Sequence, residues 1–179
     1  MSVCRLIHDS TLVEEEKGIR RFRDFLRDED RMAYVFQDFV YNFLRIERPD
    51  LDVCREVIQW EAVNVEGDSE CDLLPQMRTD VSVFACGKKV IIDTKYYQET
   101  LTEHHGSAKI HSENLYQLFS YLVNASRGGE AVEGILLYPV VDRPLSTSYS
   151  LCGIPIRIQT LNLAQPWRDI DRDLKQLVQ

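Results

Sequence analysis

The order of apolar and polar positions divides the chain into helical and extended stretches. In MAYVFQDFVYNFLRI (32–46), Met32, Val35, Phe36, Phe39, Val40, Phe43 and Leu44 fall on one stripe of a 3.6-residue period, which predicts a helix with one buried face. Pro49 stops its continuation. REVIQWEAV (55–63) alternates instead, setting Ile58, Trp60 and Ala62 against Gln59 and Glu61, and predicts a half-buried strand. DVSVFA (80–85) and KVIIDTKYY (89–97) flank a short glycine turn at Cys86-Gly87-Lys88, the pattern of an antiparallel hairpin. Side chains two apart on a strand share a face, so Ile91, Asp93, Lys95 and Tyr97 are expected to point the same way.

Further along, TLTEHHGSA (100–108) reads as a polar loop and KIHSENLYQLFSYLVN (109–124) as a second helix ended by Arg127-Gly128-Gly129. Ile110, Leu115, Leu118, Phe119 and Leu122 form its buried stripe, and His111, Asn114, Gln117 and Tyr121 a neighbouring polar one. GILLYPVV (134–141) is a continuous apolar strand, IPIRIQTLNL (154–163) an alternating strand, and WRDIDRDLKQLV (167–178) a closing amphipathic helix. The first 30 residues are charged, with Ile19, Phe22 and Leu26 at helical spacing, and predict a helix laid against the body. The central order is helix, three strands, helix, strand, which predicts an α/β domain with helices flanking a central sheet.

Composition narrows the class. With 179 residues, 44% of them hydrophobic, the chain suits one core, and residues 1–179 read as a single domain. No apolar run reaches the roughly 18–20 residues that cross a bilayer, and the start MSVCRLIHDS lacks a signal-peptide pattern. A soluble cytoplasmic protein without membrane contact is expected. Five scattered cysteines without CxxC spacing suit a reducing compartment. Against 29 acidic residues stand 21 Lys and Arg, a net charge of −8, which excludes holding nucleic acid by a broad basic surface. Basic clusters exist at GIRRFRDFLR (18–27) and at Lys88, Lys89 and Lys95, but the first also reads as a solvated helix face.

The candidate chemistry lies in the hairpin. Asp80 opens one strand and Asp93 closes the next, in an apolar setting where unpaired charge is costly. Two carboxylates about 4 Å apart repel by roughly 1 kcal/mol in water and about 4 kcal/mol at the effective dielectric of a protein surface. Lys95 cannot neutralise both, whereas a divalent cation can; Mg²⁺ takes one or two carboxylates, waters and phosphate oxygens. Acid, acid, lysine and metal together suit phosphodiester hydrolysis. The plainer alternative is a buried Asp93–Lys95 salt bridge with Asp80 capping a turn. Glu61 either joins the acidic cluster or is solvated. His104, His105 and His111 lack the spacing of a zinc site. Trp60, Tyr96 and Tyr97 either stack on bases or belong to the core.

TDVSVFACGKKVIIDTKYY (79–97) resembles the PD-(D/E)XK nuclease signature, with Asp80 as first acid, Asp93 as the (D/E) and Lys95 as the lysine. The order of elements is similar to that superfamily's restriction-endonuclease-like core. RRFRDFLRDEDRMAYVFQDFVYNFL (20–44), LLPQMRTDVSV (73–83), IIDTKYY (91–97) and NLYQLFSYL (114–122) further resemble the nuclease part of McrC, from McrBC-type 5-methylcytosine-dependent restriction systems.

That resemblance implies a Mg²⁺-dependent DNA endonuclease subunit, with Mn²⁺ as a substitute metal and with Asp80, Asp93 and Thr94 as ligands. Its partner would be an AAA+ GTPase that binds the GTP and delivers DNA, methylated in the parent family; the chain itself would bind no GTP and could form an oligomer. Gln117 and Asn114 would support the site or hold a DNA phosphate. Gln37 stands where such families often place a glutamate, and Asp38 beside it is the substitute acid. The N-terminal partner-binding domain of McrC is expected to be absent. The alternative function is a catalytically silent nuclease-fold module that bridges a GTPase to DNA or to another protein.

Overall fold

The computed structural model describes residues 28–63, 65, 73–85, 87–97, 102–104, 107–141 and 143–179. The predicted helix in the first 30 residues therefore lies almost wholly outside the described residues. Helix α1 (Glu29–Glu47) follows the stripe read from the sequence and buries Phe36, Phe39, Val40, Phe43 and Leu44. Asp28 caps its start by accepting from the Arg31 N–H at 3.2 Å, and Glu29 and Asp30 complement the positive end of the helix dipole.

The strands are β1 (Asp52–Cys54), β2 (Val57–Ile58), β3 (Met77–Arg78), β4 (Val81–Ala85), β5 (Lys88–Thr94), β6 (Thr102–His104), β7 (Ser107–Lys109), β8 (Ala131–Pro139), β9 (Ser146–Leu151) and β10 (Ile154–Leu161). Helix α2 (Ser112–Ser126) precedes β8, and α3 (Trp167–Gln176) follows β10. Six strands form one mixed sheet in the order β1-β4-β5-β8-β10-β9, with β5, β8 and β10 parallel and the other neighbours antiparallel. Among the described residues three helices flank it, an arrangement compatible with a restriction-endonuclease-like core.

Alternation along the strands sorts the core into two layers. Val90, Ile92, Ile135 and Leu137 pack with α1 and α3, while Ile91, Leu136, Tyr138, Ile156 and Ile158 pack with Leu118, Tyr121 and Leu122 of α2. Ile135, Leu136, Leu137 and Tyr138 are all fully buried, as a central parallel strand covered on both faces requires. Helix α2 rides close to the sheet over Gly134, where a Cβ would stand 2.5 Å from Leu122 Cδ1 and 3.0 Å from Leu118 Cδ2.

Three local expectations are corrected. The strand expected over 55–63 shrinks to Val57–Ile58, because the backbone beyond it bonds side chains instead of a strand: the Glu61 N–H donates to Asn124 Oδ1 at 3.2 Å. Trp60 accordingly is no core residue; it is exposed, with its indole N–H donating to the Pro75 carbonyl at 2.6 Å. The polar loop of 100–108 contains the short pair β6 and β7. The antiparallel pair β9 and β10 turns through Cys152 and Gly153, both with positive φ (52° and 82°), the geometry of a tight two-residue hairpin. Among the described residues no helix is long and apolar enough to cross a membrane.

Candidate active site

The hairpin register sets the site. Val81 pairs with Ile92, so one step further Asp80 stands opposite Asp93, where facing Cβ atoms lie about 4.5–5.5 Å apart. The Asp80 carboxylate is held from the partner strand: its Oδ2 accepts from both the backbone N–H and the hydroxyl of Thr94, each at 2.8 Å. Thr94 thereby spends both donors on Asp80, and its carbonyl and the lone pairs of its hydroxyl oxygen remain for a cation. Thr79, just before the first acid, is buried and stitched to Glu56 and Ser82 by hydrogen bonds of 3.0 Å, which fixes where β4 begins.

Asp93 is only 2% exposed, and its burial is incompletely compensated. Lys95 Nζ lies 2.9 Å from Asp93 Oδ2 as an ion pair. That oxygen nevertheless has no aligned hydrogen bond, and the ammonium directs its bond to Gln117 Oε1 at 2.9 Å. Burial pushes the Asp93 carboxyl up to about 7; Lys95 opposes this, and the charge of Asp80 adds to it. Burial is the largest single influence on Lys95 and works against its charge, but the pull of Asp93 and Asp80 together outweighs it, and the ammonium is held above its ordinary value. The amide of Gln117 is oriented in turn by donating to the Tyr121 hydroxyl at 2.8 Å.

Asp80, Asp93, Lys95 and Gln117 therefore meet at the carboxyl end of β5, against α2. Other predicted site residues lie elsewhere. Asn114 is buried, accepting from the Tyr97 hydroxyl at 3.1 Å and donating to the Tyr138 hydroxyl at 3.2 Å, so its amide is turned inward and cannot hold a phosphate. Burial pushes Tyr138 up to about 12. Glu61 stays outside the acidic cluster: exposed, it pairs with Arg127 near the end of α2. Asn124, which binds the Glu61 backbone, is seven residues or about 10 Å along the helix from Gln117. On α1, Gln37 is half-buried, and the exposed Asp38 is 2.5 Å from Arg55 NH2. Lys88 and Lys89 pair with Glu133 and with Glu56 and Glu130, at the opposite end of β5. His111 stacks on Tyr97 at 4.3 Å. Arg55, whose guanidinium Nε donates to the Asp80 carbonyl at 3.1 Å, joins the site without a sequence signal, since a lone arginine beside a strand carries none.

Among the described residues no group of three or more His, Cys, Asp or Glu side chains forms a complete metal cage. The donor set present, two facing carboxylates with one buried oxygen lacking an aligned hydrogen bond, fits Mg²⁺, which keeps waters and borrows phosphate oxygens, better than a metal that needs a full protein shell.

Residues 1–139 match the family described as McrBC 5-methylcytosine restriction system component, a span that includes all four of these side chains. The chain belongs to this McrBC family. It is also similar to the Type IV methyl-directed restriction enzyme EcoKMcrBC of Escherichia coli (strain K12), 37% identical over 175 residues that cover 97% of this chain and 50% of that protein. This McrBC-family chain thus spans about half the length of that curated relative. The McrC resemblance read from the sequence blocks agrees with both matches.

Proposed function

We propose that this chain is the DNA-cleaving subunit of a modification-dependent restriction system, hydrolysing phosphodiester bonds with Mg²⁺ in DNA delivered by a GTPase partner. The observation that carries this reading is the buried Asp93 oxygen without an aligned hydrogen bond, facing Asp80 beside a lysine kept charged. Asp80, Asp93 and the Thr94 carbonyl would hold the ion. Bound there, Mg²⁺ supplies positive charge that polarises the phosphate and lowers the pKa of the attacking water.

The remaining work falls to the chain. Thr94 fixes Asp80 by two hydrogen bonds, and burial fixes Asp93, so the carboxylates need no reorganisation when substrate arrives. Lys95 places an ammonium where negative charge grows as water bonds to phosphorus and the ester oxygen departs with a proton. Gln117 and Tyr121 keep that ammonium on the α2 side of the site.

The test combines the chain with its GTPase partner, methylated DNA, GTP and Mg²⁺. Asp93→Ala and Lys95→Ala should each lose about a hundredfold or more of cleavage while still assembling on DNA. A wild-type chain that leaves DNA intact under conditions that load it would overturn the enzyme reading in favour of the silent bridging module, to which Gln37 on α1 points.

A further inference from the structure

Between α1 and the first acid lies an arrangement that the proposed chemistry does not use directly. Arg55, in the segment joining β1 to β2, is about one quarter exposed. Its Nε donates to the backbone carbonyl of Asp80 at 3.1 Å, and its NH2 donates to Asp38 Oδ1 at 2.5 Å. The guanidinium also lies over the ring of Tyr41, 4.4 Å from the centroid. One planar cation is thus fixed along three directions: by a carboxylate of α1, by an aromatic face of α1 and by the main chain of the site acid. A guanidinium suits this role because it offers several fixed donors and a flat face together, which an ammonium does not.

We propose that Arg55 is a positioning residue for Asp80, setting the height of that carboxylate relative to Asp93, and that Asp38 and Tyr41 act through it. The proposal rests on the reading of Asp80 and Asp93 as metal ligands. Asp80 is held from two sides: Thr94 grips its carboxylate and Arg55 grips its carbonyl. Without the second grip, the residue can turn about its backbone while the Thr94 contacts persist, and the two carboxylates no longer converge at one fixed separation. Asp38 then has a role through its Oδ1, which serves the guanidinium.

Outer-shell partners of metal ligands are typically worth about 10–100-fold in metal affinity. The experiment measures Mn²⁺ binding to the full chain without DNA, by the loss of the free-ion electron paramagnetic resonance signal. It compares wild type, Asp93→Asn, Arg55→Met, Arg55→Lys and Asp38→Asn, with circular dichroism and melting temperature recorded for each. Arg55→Met should bind Mn²⁺ about tenfold or more weakly, and Arg55→Lys should not restore binding. Asp38→Asn, which keeps an acceptor oxygen for the guanidinium, should retain most of it. The Mg²⁺ concentration needed for half-maximal cleavage should rise by a similar factor in Arg55→Met.

A merely structural arginine would lower the melting temperature and leave Mn²⁺ affinity of the folded protein unchanged, which would overturn the proposal. If Arg55→Met does not fold, Arg55→Lys decides: full Mn²⁺ affinity in a folded Arg55→Lys protein sinks the proposal, and a loss of about tenfold supports it. Mn²⁺ binding that is lost in Asp93→Asn but intact in the Arg55 variants refutes this proposal alone. A wild-type chain that takes up no Mn²⁺ refutes the ligand reading and this proposal with it.

Discussion

At the scale of single residues, Asp93 ties the proposed activity to stability. Its carboxyl is raised from 3.8 to about 7 by burial, so between about pH 4 and 7 the folded chain keeps a proton that the unfolded chain gives up. The contribution of Asp93 is therefore full below about pH 4, is lost as pH rises to about 7, and is constant above, with a slope of at most about 1.4 kcal/mol per pH unit. Lys95, held above its ordinary value, titrates outside this window. Asp93→Asn should remove this slope: its melting temperature relative to wild type should climb from pH 4.5 to pH 7.5 and then level off. A difference that is flat with pH would mean that Asp93 is ionised throughout. The same substitution should abolish the proposed chemistry, so under the proposed function the acid that the reaction needs is also one whose ionisation costs stability.

At the scale of elements, packing decides where α2 can sit. Gly134→Ala places a methyl group against Leu122 and Leu118, both fully buried, and overpacking of this kind costs about 1–3 kcal/mol. Chemical denaturation should show that loss in Gly134→Ala and a smaller combined loss than the sum of the single changes in Gly134→Ala with Leu122→Ala. Elements with strong periodicity were legible in the sequence: α1, the β4–β5 hairpin, α2, β8, β10 and α3 all stand where the pattern puts them. So was the meeting of Asp80, Asp93 and Lys95, since it follows from strand alternation and hairpin register. What could not be read depends on partners distant in the chain. Residues 59–63 alternate like a strand, but the Glu61 N–H donates to Asn124 in place of a neighbouring strand. Within the polar stripe of α2, Asn114 turns inward because Tyr97 and Tyr138 offer it their hydroxyls, which no count along the helix reveals. Arg55 matters only through the fold, bridging 17 residues to Asp38 and 25 to the Asp80 carbonyl.

At the scale of the whole molecule, charge shapes how substrate is met. A net charge of −8 opposes the phosphate backbone, so under the proposed function the chain alone should bind duplex DNA no better than the weak end of non-specific binding, a Kd of about 10⁻⁴ M at physiological salt. Fluorescence anisotropy with methylated and unmethylated duplexes measures this. Micromolar affinity without the partner would show that the chain captures DNA by itself. The sheet also divides duties between its ends: the partly exposed Lys88 and Arg157 pair with the buried Glu133 where β5 and β8 begin, and the candidate site opens where β5 ends.

The grip of Thr94 on Asp80 has a consequence for the hairpin as a measuring device. Both acids owe their adjacency to the count of residues around the bend at Gly87, roughly 20 Å from Asp93 along an extended strand. An insertion or deletion of one residue at that bend leaves every side chain of the candidate site unaltered in identity. It nevertheless swings Asp93 and Lys95 into the layer occupied by α1 and α3, so the length of a distant loop acts as a silent veto on chemistry.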